Sequence, residues 1–240
     1  MICKPLGAGK GWEIIYQRNH ALLAAEMLTP WPVDRRPQPW FELLNACSQH
    51  DHGWLESRLD SLVDEEGQPI DFLHMTTEAT LAMSRRNLRN AEAQSRWCAI
   101  LVARHLEYLF SAKDDSATAA MAQQTLSARH NWMKEVDASE AQVEELYELL
   151  SWADSLSLLV CCQPSEFTES LALKAQGQEF QARPVRQDVW TLAPWPYLQD
   201  SLSLQYEVRL LEQERFGDAE ALREALARAP VTVRRLELRP

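Results

Sequence analysis

Basic residues are scarce in this 240-residue chain: 24 Lys and Arg stand against 35 Asp and Glu, a formal net charge of -11 at pH 7. A nucleic-acid backbone or an anionic membrane surface needs a basic face, so neither is expected as a partner. Long apolar runs are missing as well. No stretch approaches the roughly eighteen residues of a membrane span, and the opening Met1 to Lys10 lacks the apolar core of a signal peptide. The five cysteines are odd in number, form no Cys-x-x-Cys, and include the vicinal Cys161-Cys162, which cannot easily bridge; no disulfide framework is expected, and a reducing cytoplasm fits. Gly7, Gly9 and Gly11 are too irregular for a phosphate loop, and neither a Ser-His-Asp order nor a dinucleotide fingerprint is present.

What is present suffices for a sizeable core, since 46% of the residues are apolar. Residues 2–17 read as a short hairpin, and Asn19 as the cap of a helix carrying His20, Leu23 and Met27 on one face. A proline-rich stretch, Pro30 to Pro39, ends that helix, and Phe41 to Asp51 reads as the next. The acidic segment 55–75 is expected to be a loop flanking a pocket. Thr76 or Thr77 caps a third helix and Ser95 a fourth, whose inner stripe is Trp97, Leu101, His105, Tyr108 and Leu109. Residues 115–136 read as a more exposed helix. Ser139 and Gln142 form a capping box for the longest apolar helix, about 140–162. Beyond residue 165 the pattern changes to short strands, with Gly177 at a turn, a strictly alternating strand at 201–210, a short helix capped by Asp218, and a last strand at 231–238. The expected fold is mainly α: one domain over 1–240, with a helical core at about 18–163 and a small appended antiparallel sheet at about 166–240 joined by the N-terminal hairpin.

One dipeptide stands out within this frame. His50-Asp51 sits in Gln49-His50-Asp51-His52-Gly53-Trp54, and with six His and twelve Asp such a pair is expected by chance only about 0.3 times. Leu43, Ala46, Cys47, His50 and Trp54 share one helical stripe, so His50 points inward. The stripe of the longest helix runs Val143, Leu146, Tyr147, Leu150, Asp154, Ser157, Leu158 and Cys161, which places Asp154 where a Leu would be expected. An unpaired carboxylate there costs several kcal/mol of desolvation unless it is protonated, paired or bound to metal. A lone inward histidine reads as a satisfied core residue; inward-facing His20, His50, His105 and Asp154 on four helices are satisfied together by one divalent ion.

The order of these residues resembles the HD-domain superfamily of metal-dependent phosphohydrolases, with His20, His50, Asp51 and Asp154 at the matching ligand positions. More closely, Asn19-His20-Ala21, His50-Asp51-x-x-Trp54, His105 and Trp152-Ala153-Asp154-Ser155-Leu156-Ser157-Leu158 with Cys161 resemble a bacterial family, domain of unknown function 3891, from about residue 2 to Tyr197. The superfamily resemblance implies an all-helical metal-binding core and hydrolysis of a small phosphorylated, anionic compound. The ligand set suits Mn, Fe, Zn or Ni. Asp51 would orient the attacking water, and His105 would stabilise the leaving group or bind a second ion. Some HD enzymes instead hold two irons and oxidise their substrate, which would call on His74 as well as His105. A third reading is a non-catalytic ligand-binding or scaffolding module.

Trp54, Arg58 and Arg104 are the candidate pocket residues, and Arg18, Arg85 and Arg86 are further candidates for a phosphate clamp, although Arg85-Arg86 on a helix reads first as a solvent-facing pair. His52 reads as an outer support of the site or an exposed residue, His74 as exposed, and His130 as solvated on a polar face. The sequence leaves an oligomer open.

Overall fold

The computed structural model describes residues 1–7, 9–54, 62–111, 115–162, 170–186 and 188–240. Strands β1 (Ile2–Pro5) and β2 (Trp12–Ile15) form the N-terminal hairpin. Gly11 closes it at φ +80°, and a Cβ there would stand 1.8 Å from the Leu211 carbonyl oxygen, so only glycine allows this approach. The chain passes directly into α1 (Gln17–Leu28). Tyr16, in extended backbone, precedes the helix, so the expected Asn19 cap lies inside the first turn, where its amide donates to the Glu207 carbonyl at 3.0 Å.

Five further helices follow the expected signals closely. After α2 (Trp40–Gln49), α3 (Thr77–Gln94) is capped by the Thr76 hydroxyl and α4 (Arg96–Ser111) by Ser95, whose hydroxyl accepts from the Cys98 amide at 3.1 Å. Tyr108 and Leu109 depart from the α4 stripe: both are exposed, and the buried face runs through Leu101, His105 and Leu106 to Phe110. Helix α5 (Ser116–Glu135) is capped by Asp115. Helix α6 (Glu140–Cys162) starts at Ser139, which accepts from the Gln142 amide at 3.2 Å, while the Gln142 side chain donates to Gln38 rather than completing the capping box.

The expectation of a mainly α fold with a small antiparallel sheet is corrected by the β structure. Strands β3 (Leu171–Ala175), β4 (Gln178–Arg186), β5 (Val189–Ala193), β6 (Leu202–Leu211) and β7 (Val231–Arg239) join the N-terminal hairpin in one seven-stranded sheet, ordered β1-β2-β6-β7-β5-β4-β3. The sheet is mixed, since β5 and β7 run parallel while the other neighbours are antiparallel. The class is therefore mixed α/β. The individual strands lie close to where alternation places them, but sheet size comes from two pairings distant in sequence, β2 with β6 and β5 with β7, that no local pattern encodes.

Helices and sheet share one apolar core, in which Leu23, Leu150 and Trp152 meet Phe180, Leu204 and Leu238. Trp152 lies edge-on to Trp31 at 5.2 Å and to Phe180 at 5.6 Å, locking α6 onto the sheet. A smaller cluster seats α7 (Ala219–Arg228): Leu222 and Leu226 pack with Phe216, Leu211 and Met83. Burying each leucine contributes about 1.5–3 kcal/mol. Among the described residues no helix is long and apolar enough to cross a membrane.

Candidate metal centre and its cavity

Three helices and one turn bring the site together. His20 lies in the first turn of α1, His50 caps the C-terminus of α2 with Asp51 following it, and Asp154 lies in the middle of α6. His20 and His50 are fully buried, and Asp154 is 8% exposed. His20 Nε2 is 2.7 Å from Asp51 Oδ2, and His50 Nε2 is 3.1 Å from Asp154 Oδ1 and 3.8 Å from Asp51 Oδ2. His20, His50 and Asp154 each offer a donor atom within 4.8 Å of the other two, with Asp51 at the edge of this group. Donors around an ion with bonds of about 2.1 Å sit about 3.0–3.4 Å apart, so these separations are of the size a divalent ion would bridge.

The protonation pattern follows from the outer contacts. His50 Nδ1 lies 2.6 Å from the Cys47 carbonyl, which can only accept, so Nδ1 carries the proton. The Ser157 hydroxyl donates its single proton to the Asp154 carbonyl at 2.9 Å and therefore accepts from His20 Nδ1 at 3.1 Å. Both imidazoles thus spend Nδ1 on the protein; His50 turns Nε2 to Asp154 and His20 turns Nε2 to Asp51, while the His20 nitrogen nearer Asp154 is Nδ1, at 3.8 Å. The donor set of two Nε2 atoms and two carboxylates fits a divalent ion of the Mn, Fe, Zn or Ni kind.

Electrostatics tie the four groups together. Burial opposes charge on His50, yet the Asp51 and Asp154 carboxylates prevail and raise its pKa to about 9. Burial likewise opposes charge on the two carboxylates, but the neighbouring histidines, His50 foremost, hold both below the usual carboxylate range. His105 behaves differently. Its ring stands 5.1 Å from that of His50, and burial lowers its pKa to about 4, so it is neutral at pH 7. The Tyr147 hydroxyl lies 3.5 Å from its Nδ1.

The turn bearing Asp51 is clamped against α3. A Cβ on Gly53 would come within 2.4 Å of the Met83 carbonyl oxygen and 2.7 Å of the Asn87 amide nitrogen, so the chain passes closer to the helix than any other residue permits. Arg86 donates to the Gly53 carbonyl at 3.2 Å, and Arg18 and Asn90 donate to the His52 carbonyl at 2.9 and 3.2 Å. Arg18 and Arg86, read as clamp candidates for a phosphate, thus hold this turn.

Asp51, His105 and Asp154 line a cavity of about 320 Å³ that is otherwise largely apolar. Trp54, one of the candidate pocket residues, is in its wall, packed edge-on to Phe72 at 6.4 Å. The expected flanking segment contributes through Phe72, Leu73 and Met75. Other candidates are placed elsewhere. Arg104 forks onto Glu144, 2.9 Å for one of its two bonds, and covers the Tyr147 ring at 4.3 Å without lining the cavity. His74 is exposed at the end of a short 3-10 turn, outside the group. His130 is an exposed partner of Glu140, and His52 is half-buried. Arg58 lies outside the described residues.

Sequence reasoning missed the α3 contribution, Ser84 and Asn87, and gave Ser157 no role. Gly53 beside the His-Asp pair was the available signal for the first, because a glycine between polar and aromatic neighbours marks a close backbone approach.

Fold and site together define a mixed α/β protein with a buried cluster of imidazoles and carboxylates at the floor of an apolar cavity. Over residues 1–213 the chain matches the family described as "Protein of unknown function (DUF3891)", and it belongs to that family. No curated protein and no solved structure matches it. The family match ends before α7 and β7, although β7 lies inside the sheet between β6 and β5.

Proposed function

We propose that this chain is an HD-type, metal-dependent hydrolase of a small phosphorylated compound. The observation that carries the reading is the paired commitment of His20 and His50: each spends Nδ1 on the protein and directs Nε2 to a carboxylate beside a cavity. The order His20, His50-Asp51, Asp154 supports it by resemblance to the HD superfamily. A divalent ion held by these four residues would acidify a water and polarise a phosphoryl oxygen.

The remaining chemistry belongs to the chain. Asp51, at the edge of the group and lining the cavity, orients the attacking water and accepts its proton. His105, neutral at pH 7, cannot serve as a charged acid; it donates a hydrogen bond to the leaving-group oxygen as negative charge develops there. Ser157 and the Cys47 carbonyl keep the two ligand rings oriented. A two-iron oxygenase would call on His74, and its exposed position outside the group favours a single ion.

Metal analysis of protein purified without chelator, with a phosphoester panel, tests the proposal. About one ion per chain and turnover are expected, both lost in His50→Ala and Asp154→Ala. Folded protein that takes up no ion, or that keeps turnover in both variants, refutes it. A stoichiometric ion without turnover of any ester would leave a binding module in place of an enzyme.

A further inference from the structure

Two side chains of α3, Ser84 and Asn87, line the cavity beside the metal centre, and each has one hydrogen-bonding function already committed to the protein. Asn87, 4% exposed, accepts from the Gly53 amide at 3.3 Å through its carboxamide oxygen. A backbone N–H can only donate, so the atom facing Gly53 is the oxygen and the carboxamide cannot flip. What Asn87 offers the cavity is the Nδ2 donor. Ser84, 7% exposed, donates its single hydroxyl proton to the Thr80 carbonyl one turn back, at 2.9 Å. What it offers is an oxygen that accepts.

The two residues are three positions apart and therefore neighbours on one face of α3, with about 5–6 Å between their Cβ atoms. Trp54, Phe72, Leu106 and Phe110 line the same cavity and give it apolar, partly aromatic walls. A wholly apolar ligand would leave the buried donor and acceptor unpaired, and a site built in this way discriminates against such a ligand. The complementary ligand carries an acceptor and a donor on one neutral group. An aromatic carboxamide meets both demands: its C=O and N–H leave one planar unit in different directions, and its ring suits the aromatic wall.

Resting on the hydrolase reading above, we infer that the substrate's arm carries a carboxamide, whose C=O accepts from Asn87 Nδ2 and whose N–H donates to Ser84 Oγ while the phosphoryl group lies over the metal centre. Asn87 and Ser84 then decide which ester binds and take no part in its hydrolysis.

The test is calorimetric, on the full chain loaded with Mn²⁺, with phenylphosphonates that share one head group and are not esters. The unsubstituted compound is compared with its meta and para acetyl, hydroxy and carbamoyl derivatives. The better carbamoyl compound is expected to bind at least about tenfold more tightly than the unsubstituted one, and the better acetyl compound, which accepts but cannot donate, about threefold more tightly. Asn87→Asp keeps an oxygen for Gly53 and replaces the donor by an acceptor, so the carbamoyl advantage over the unsubstituted compound should shrink to about twofold or less, whatever the added charge does to all the phosphonates alike. Ser84→Ala, inside α3 where alanine is the most favoured residue, should bring the carbamoyl compound down to the level of the acetyl one. A carbamoyl compound no tighter than the unsubstituted one, a hydroxy compound equal to it, no phosphonate binding, or an advantage that survives both substitutions overturns the inference and leaves the metal site standing. Failure of Mn²⁺ itself to bind overturns the hydrolase reading, and the inference with it.

Discussion

His20 and Ser157 are joined by a 3.1 Å hydrogen bond from Nδ1 to the hydroxyl, and that hydroxyl in turn donates to the carbonyl of Asp154, one turn earlier on α6. The helix that supplies one carboxylate therefore also sets the tautomer of a histidine on another helix. Ser157→Ala removes this constraint and leaves a buried Nδ1 proton unpaired. The expected outcome is a 10–100-fold loss of divalent-ion affinity by equilibrium titration, with about 1–3 kcal/mol lost from folding stability. Unchanged affinity would show that Ser157 has no part in orienting the ring.

Gly53 gives a steric prediction. In Gly53→Ala the new Cβ meets backbone atoms of Met83 and Asn87, which cannot rotate away, so the turn carrying Asp51 has to move off α3. A destabilisation of about 1–3 kcal/mol is expected in denaturant unfolding, together with weaker ion binding. Gly217, beside which a Cβ would meet nothing within 4 Å, is the control, and Gly217→Ala should change neither.

The metal-free chain should lose stability on the alkaline side. His50 has a pKa of about 9 when folded, above the ordinary histidine value near 6.5. Its contribution is fully present below about pH 6.5 and is lost as the pH rises through 9, because the folded state then gives up a proton it held more tightly than the unfolded state does. The lowered carboxylates Asp51 and Asp154 act at the other end, their contribution fading as the pH falls below the ordinary carboxylate range. Urea midpoints of chelated protein should therefore fall between pH 6.5 and 9.5, and Asp154→Asn should flatten that fall. An equally steep fall in the variant would place its origin elsewhere.

Arg104 should prove structural. Its guanidinium is held by Glu144 and stacked on Tyr147, so Arg104→Ala is expected to lower stability by about 1 kcal/mol and to leave the KM of any turned-over phosphoester within twofold. A tenfold rise in KM would return it to the binding site.

How much of this was legible in the sequence follows the range of the contacts. The helical phase of a single segment was enough to turn His20, His50 and Asp154 inward, since each belongs to a stripe whose other members are mostly apolar. The capping signals at Thr76, Ser95 and Asp218 are equally local and found their helices. The seven-stranded mixed sheet was not legible, because Trp12 pairing with Leu211 and Thr191 with Arg239 are relations between distant strands. The cavity escaped for the same reason: its floor comes from the turn after α2, from α4 and from α6, and much of its wall from α3 and the segment before it. Arg104 illustrates the reverse error, where a charge near candidate ligands in sequence had already found its partner across a helix pair.

The central claim is that His20, His50, Asp51 and Asp154 hold one divalent ion. Anomalous diffraction from a crystal grown with Mn²⁺ measures it most directly. The account predicts a single strong peak within about 2.5 Å of His20 Nε2, His50 Nε2 and a carboxylate oxygen of each aspartate. A map with no peak between these four side chains, or with the ion bound only elsewhere, would contradict it.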